Sequence, residues 1–73
     1  MAGLIKRSVT LAGHRTSISL EPVFWDALVE AAAAEDKSLN GLVSEIDEAR
    51  TTNLSSAIRV FLFERTRGAD LTQ

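Results

Sequence analysis

The sequence predicts a mostly α-helical domain with a short β-ribbon near its N-terminus. Three observations carry that expectation. Residues 14–20 alternate, with Thr16, Ile18 and Leu20 on one side of an extended chain and Arg15, Ser17 and Ser19 on the other. Beyond Pro22 the apolar residues recur at helical spacing in three successive blocks. The chain has 73 residues and no cysteine, so it is one domain without disulfide staples or thiolate metal sites. A lone chain of this size buries only roughly 60% of its unfolded surface, which favours an oligomer.

Taken in order, residues 1–13 form a basic arm or an extra strand. Val9 and Leu11 alternate weakly with Ser8 and Thr10, and Ala12-Gly13 then offers a tight turn, with Gly13 supplying a positive φ. The strand over 14–20 follows. Pro22 suits a first helical position, where its missing N–H costs nothing. Phe24, Leu28 and Ala31 mark the apolar stripe of a first helix ending near Asp36-Lys37, and Trp25 lies off that stripe as an interface or core residue.

Ser38 is placed to cap a second helix whose apolar face is Leu39, Leu42, Val43, Ile46 and Ala49. Gly41 in its first turn points to a close approach there by another backbone or a phosphate. Asn53 caps a third helix with Leu54, Ala57, Ile58, Phe61 and Leu62 inward, widened by Val60 and Phe63 toward a second packing partner. Gly68 is expected to end it, leaving 68–73 as a tail behind a domain over 14–67.

The net charge of −2 hides a division. Residues 1–20 hold Lys6, Arg7 and Arg15 and no acid, whereas residues 21–49 hold eight acids against Lys37 alone. Local sign governs steering onto phosphates more than the total does, so the strand region is the electropositive part of an acidic chain. A single strand must also find a partner for its backbone groups. With helices after it, the same strand of a second copy, antiparallel across a two-fold axis, is the expected partner. Such a two-stranded ribbon fits the DNA major groove.

This arrangement resembles the ribbon-helix-helix DNA-binding proteins of bacteria and phages, to which the Arc and methionine repressors belong. The resemblance is carried by Arg15-Thr16-Ser17-Ile18-Ser19-Leu20, Glu21-Pro22, the Phe24/Leu28 stripe and Lys37-Ser38-Leu39-Asn40. The longer run over 6–22, with Phe24-Trp25-Asp26-Ala27-Leu28, looks like a group of small alphaproteobacterial members. The resemblance implies a homodimer in which Arg15, Ser17 and Ser19 read bases. Ser38, Leu39 and Asn40 would clamp a phosphate at a helix N-terminus, and Lys6 and Arg7 would add phosphate contacts. Thr16, Ile18, Leu20, Phe24, Leu42 and Ile46 would form the dimer interface. The third helix lies outside the minimal family. Asn53-Leu54-Ser55-Ser56-Ala57-Ile58-Arg59 also resembles a second-helix start, which would make residues 38–50 an insertion.

The expected function is sequence-specific binding of double-stranded DNA by a cytoplasmic transcriptional regulator of repressor type. Its alternative is a dimeric protein-interaction module, antitoxin-like or an assembly adaptor, engaging another protein through the third helix. The plainest competing account of Arg15, Ser17 and Ser19 is a solvated strand face. No nucleophile–base pair or phosphate loop marks an enzyme. His14 stands without a second histidine or a cysteine, and Glu45, Asp47 and Glu48 read as a solvated helix face, so neither metal nor cofactor is expected. No apolar run reaches the ~20 residues of a membrane span.

Overall fold

A computed structural model describes residues 3–71 of the chain, with side chains to Gly68. It has a two-stranded ribbon followed by three helices: β1 (Ile5–Leu11), β2 (His14–Leu20), α1 (Pro22–Ala34), α2 (Leu39–Ala49) and α3 (Leu54–Leu71). β1 and β2 pair antiparallel from Ile5↔Leu20 to Leu11↔His14. Ala12 (φ 51°) and Gly13 (φ 81°) form the two-residue turn, both left-handed as such hairpins require. Residues 6–11 are therefore a strand rather than a loose arm. One edge of β2 is paired with β1 of the same chain, so the strand has a partner within its own chain as well as the second copy expected for it.

The ribbon has a wet and a dry face. Val9, Ile18 and Leu20 are buried, with Leu11 packed beside them, while Lys6, Ser8, Thr10, Arg15 and Ser17 are exposed and Ser19 is half-buried. Pro22 opens α1 as its composition predicts. The buried positions of α1 are Trp25, Leu28, Ala31 and Ala32. The inward face is therefore turned toward Trp25, and Phe24 sits half-buried at its edge. Burying an indole outweighs burying a phenyl ring partway, since each buries more area than any aliphatic neighbour. α1 ends with Lys37 N–H donating to Ala32 O (2.9 Å) and Asp36 N–H to Ala33 O (3.1 Å). That paired geometry puts Asp36 in the left-handed region (φ 58°).

Ser38 caps α2, its hydroxyl accepting from Gly41 N–H at 2.9 Å. Leu42, Val43 and Ile46 are buried, whereas Ala49 is exposed rather than part of the apolar face. A Cβ on Gly41 would lie 3.0 Å from the Ser38 hydroxyl, so the close approach behind that glycine is the cap itself. Asn53 caps α3, its side-chain carbonyl accepting from Ser56 N–H at 2.9 Å. α3 passes through Gly68 to Leu71, because glycine costs a helix only about 1 kcal/mol and does not by itself end one. Ile58 and Leu62 close one core with Val9, Ile18, Leu20, Trp25, Leu28, Leu42, Val43 and Ile46. β1 lies against α2 and β2 against α3, while α1 packs on both α2 and α3.

Candidate nucleic-acid interface

The register brings six side chains to the outer face of the ribbon in three cross-strand pairs: Lys6 with Ser19, Ser8 with Ser17, and Thr10 with Arg15. The face contains two cations and four hydroxyls and no carboxylate. Arg7 belongs to the inner side but escapes at its rim, where its guanidinium lies 5.2 Å from the centre of the Trp25 ring. Among the described residues no ion pair engages Lys6, Arg7 or Arg15. The helices differ. Glu21 pairs with Arg59, Glu35 with Lys37 and Arg65, Glu45 with Lys37, and Asp47 with Arg50. Four of the carboxylates are thus met by cations of the helical layer, and the ribbon's cations stay available.

The same pairing sets the carboxyl groups of the helices. Glu21 is held below the usual carboxylate value by a hydrogen bond from its own backbone N–H, opposed by desolvation and reinforced by Arg59. Glu35 is lowered chiefly by its hydrogen bond from Lys37, and Lys37 is raised by Glu45 and then Glu35. None of these groups lies on the ribbon.

Three side chains pin the ribbon from below and beside. Trp25 donates its indole N–H to Ile5 O at 2.8 Å. Asn40 accepts from Thr10 N–H at 3.0 Å and donates to Thr10 O at 2.7 Å, so its amide pairs with β1 as a neighbouring strand would. Ser55 at the start of α3 donates to Ser19 O at 3.3 Å, on β2. The side chain of Asn40, expected on a phosphate, is therefore spent on the ribbon, and Ser38's hydroxyl is engaged as a cap. What the start of α2 still offers an anion is the backbone N–H of Leu39 and Asn40, since the first N–H groups of a helix have no partner within it.

The residues expected at a dimer interface divide between buried and half-buried positions of the single chain. Ile18, Leu20, Leu42 and Ile46 are inside this chain's own core, Thr16 is half-buried on the inner ribbon face, and Phe24 lines a groove between α1 and α3. That groove, about 540 Å³, is also lined by Val23, Val60 and Phe63, which are 67%, 52% and 62% exposed. The widened apolar surface of α3 is therefore not fully covered by its neighbours. His14 stands exposed at the end of β2, and among the described residues no group of three or more His, Asp or Glu side chains is placed to hold a metal.

Sequence reasoning missed Ser8 and Thr10. Pairing residues 11 and 14 across Ala12-Gly13 puts Thr10 opposite Arg15, so the signal was present once the hairpin is accepted. Both candidate second-helix starts, after Ser38 and after Asn53, open helices.

A family model described as a ribbon-helix-helix domain matches residues 4–66. No curated protein and no solved structure matches the chain.

Proposed function

The chain belongs to the ribbon-helix-helix domain family, a DNA-binding fold, and from that premise we propose that it binds double-stranded DNA sequence-specifically as a homodimer and regulates transcription, as a repressor. The ribbon enters the major groove, where Arg15 pairs with guanine and Ser17 and Ser19 bond to base edges. Lys6 and Arg7 contact phosphates on either side, with the free N–H groups at the start of α2. Serines discriminate less than asparagine or glutamine, so the sequence preference is modest. The role is one of binding rather than catalysis. The location is the cytoplasm; among the described residues no helix is long and apolar enough to cross a membrane.

The observation that carries this reading is the outer face of the ribbon: two cations and four hydroxyls, no acid, and no ion pair drawing the cations away. Fluorescence anisotropy with labelled duplexes across a salt series tests it. Affinity should fall steeply with salt, since each neutralised phosphate adds about 0.9 to the slope of log affinity on log salt. Arg15→Ala should weaken binding to the preferred site by roughly 1–3 kcal/mol, about five- to 150-fold. Binding indifferent to salt and to Arg15→Ala overturns the reading.

A second reading is favoured by exposed Val60 and Phe63 beside Val23. On that reading the dimer engages another protein through α3. Phe63→Asp separates the two, because it should leave duplex binding intact while abolishing any complex made through this face.

A further inference from the structure

We propose that α3 pairs in parallel with α3 of a second copy through Val60 and Phe63, so that the third helix forms the part of the homodimer interface below the ribbon. The inference rests on the homodimer reading. It deepens that reading by naming the helix at which the copies meet and the direction in which the two helices run.

Three observations converge. The first is an apolar patch on the outer side of α3. Val60 and Phe63 are exposed there, with Val23 exposed and Phe24 half-buried beside them at the start of α1. Ile58 and Leu62 already hold the inward side of the same helix to the core. One apolar stripe is enough to fix a helix to its own domain, and a second on its far side calls for a second partner.

The second is spacing. Ser56, Val60, Phe63 and Arg67 recur at intervals of four, three and four residues, the seam of a two-stranded pair of helices, with Val60 and Phe63 as its central layers. Arg59 and Glu64 then take the two positions flanking that seam. In a parallel pair each flank meets the opposite flank of the other helix, so Arg59 of one copy stands beside Glu64 of the other, twice over. An antiparallel pair sets like flanks together and loses both ion pairs. Glu64 is exposed, and among the described residues no ion pair engages it. Arg59 meets Glu21 through Nε and Nη2, at 3.1 and 3.0 Å, and its remaining nitrogen, Nη1, takes no part in that contact.

The third is the course of α3. Its first turn touches the ribbon, where Ser55 donates to Ser19 O, and further on Arg65 reaches Glu35 just past the end of α1. Since α1 leaves directly from β2, both helices lead away from the ribbon. Antiparallel strands shared between two copies are related by a two-fold axis normal to their sheet. That axis runs along α3 rather than across it, and helices related in this way are parallel. In addition, β1 lies over α2 and β2 over α3, so a copy set beside β2 meets α3 before α2. One axis therefore serves both the ribbon and the helix pair. Two apolar layers make a short contact, so the helices add to the ribbon's pairing and do not replace it.

Sedimentation of the full chain over a concentration series tests this. The wild type should dimerise, and Phe63→Asp should raise the dissociation constant about tenfold or more, with helical circular dichroism unchanged because the ring is exposed. Duplex binding should be retained once protein is high enough to saturate the weakened dimer. A second experiment uses the absence of native cysteine. Each seam residue of a parallel pair faces its own copy, so Ser56→Cys should oxidise to a covalent dimer. Val29→Cys, exposed on α1 and outside this groove, should not. A dissociation constant unchanged by Phe63→Asp overturns the inference, as does a Ser56→Cys chain that stays at monomer mass without reductant; both leave the homodimer reading standing. A wild-type chain that is monomeric at every concentration overturns both.

Discussion

The ribbon and the helical layer beneath it handle charge in opposite ways. The helices and their connections hold the acid and pair part of it locally, four carboxylates in all, through Glu21–Arg59, Glu35–Lys37, Glu35–Arg65, Glu45–Lys37 and Asp47–Arg50. The ribbon holds Lys6, Arg7 and Arg15 with no acid in residues 1–20 to pair them. Overall charge is therefore a poor guide to this molecule. A chain with a net charge of −2 presents a polyanion with a surface of opposite sign, because the separation is spatial as well as sequential. The lesson is that unpaired cations on a rigid support matter more than the sum.

The contrast depends on the ribbon being held to the helices, and the largest effect should come from cutting that attachment. Trp25→Ala removes a fully buried indole and its hydrogen bond to Ile5 O, and should cost about 3–5 kcal/mol by urea titration. For a domain of this size that is much of the total stability. Trp25→Phe should cost less, about 1–2 kcal/mol, most of it through the lost N–H bond. A smaller effect should separate the two classes of arginine. Arg65→Ala removes a partner of Glu35 at the far end of the helices, and should change duplex affinity less than about twofold while shifting stability by under ~1 kcal/mol. Arg15→Ala should do the reverse, leaving the urea midpoint unchanged.

Asn40→Ala comes next. It frees both backbone groups of Thr10, so the turn end of the ribbon should lose hydrogen-exchange protection selectively, with a stability loss of about 1–2 kcal/mol. Substitutions that relieve left-handed residues should sharpen the same picture with the opposite sign. Ala12→Asn, and independently Asp36→Gly, should each stabilise by roughly 0.5–1 kcal/mol, since Asn and Gly tolerate positive φ better than the residues they replace.

The smallest effect is the pH dependence, and it belongs to the helices alone. Glu21 and Glu35 titrate below their ordinary value of 4.5 when folded, so the stability they contribute is complete above that value. It is lost as pH falls through the lowered folded values. Lys37 is raised above 10.5, so its contribution is complete below that pH and fades as pH rises through the folded value. Urea midpoints between neutral pH and pH 3 should decline less in Glu35→Gln than in the wild type.

Several of these elements were legible in the residues. The alternation over 14–20, the proline at the start of α1, and the caps Ser38 and Asn53 all act through local chemistry that a sequence displays. The β1–β2 hairpin was only half legible, because Ala12 occupies a left-handed position where Asn or Gly would announce the turn. The turning of α1 toward Trp25 could not be read from spacing, since Phe24 and Trp25 are adjacent and equally apolar. What decides between them is an acceptor, Ile5 O, twenty residues away. Asn40 posed the same difficulty: nothing at position 40 says that its amide will meet a backbone thirty residues earlier. At the candidate interface, Arg15, Ser17 and Ser19 lie where alternation put them, and Ser8 and Thr10 emerged only with the register.

The amide of Asn40 has one more consequence. Exposed strand edges are templates on which further strands add, and sheets that can grow at both edges polymerise into fibres. Asn40 occupies the outer edge of β1 at Thr10 with the two bonds an incoming strand would need there. The β2 side is likewise occupied, at Ser19 O by the Ser55 hydroxyl, so neither edge presents an unbroken row of backbone groups to an incoming strand. Two side chains, one on each edge, thus keep the ribbon from serving as a template for runaway association.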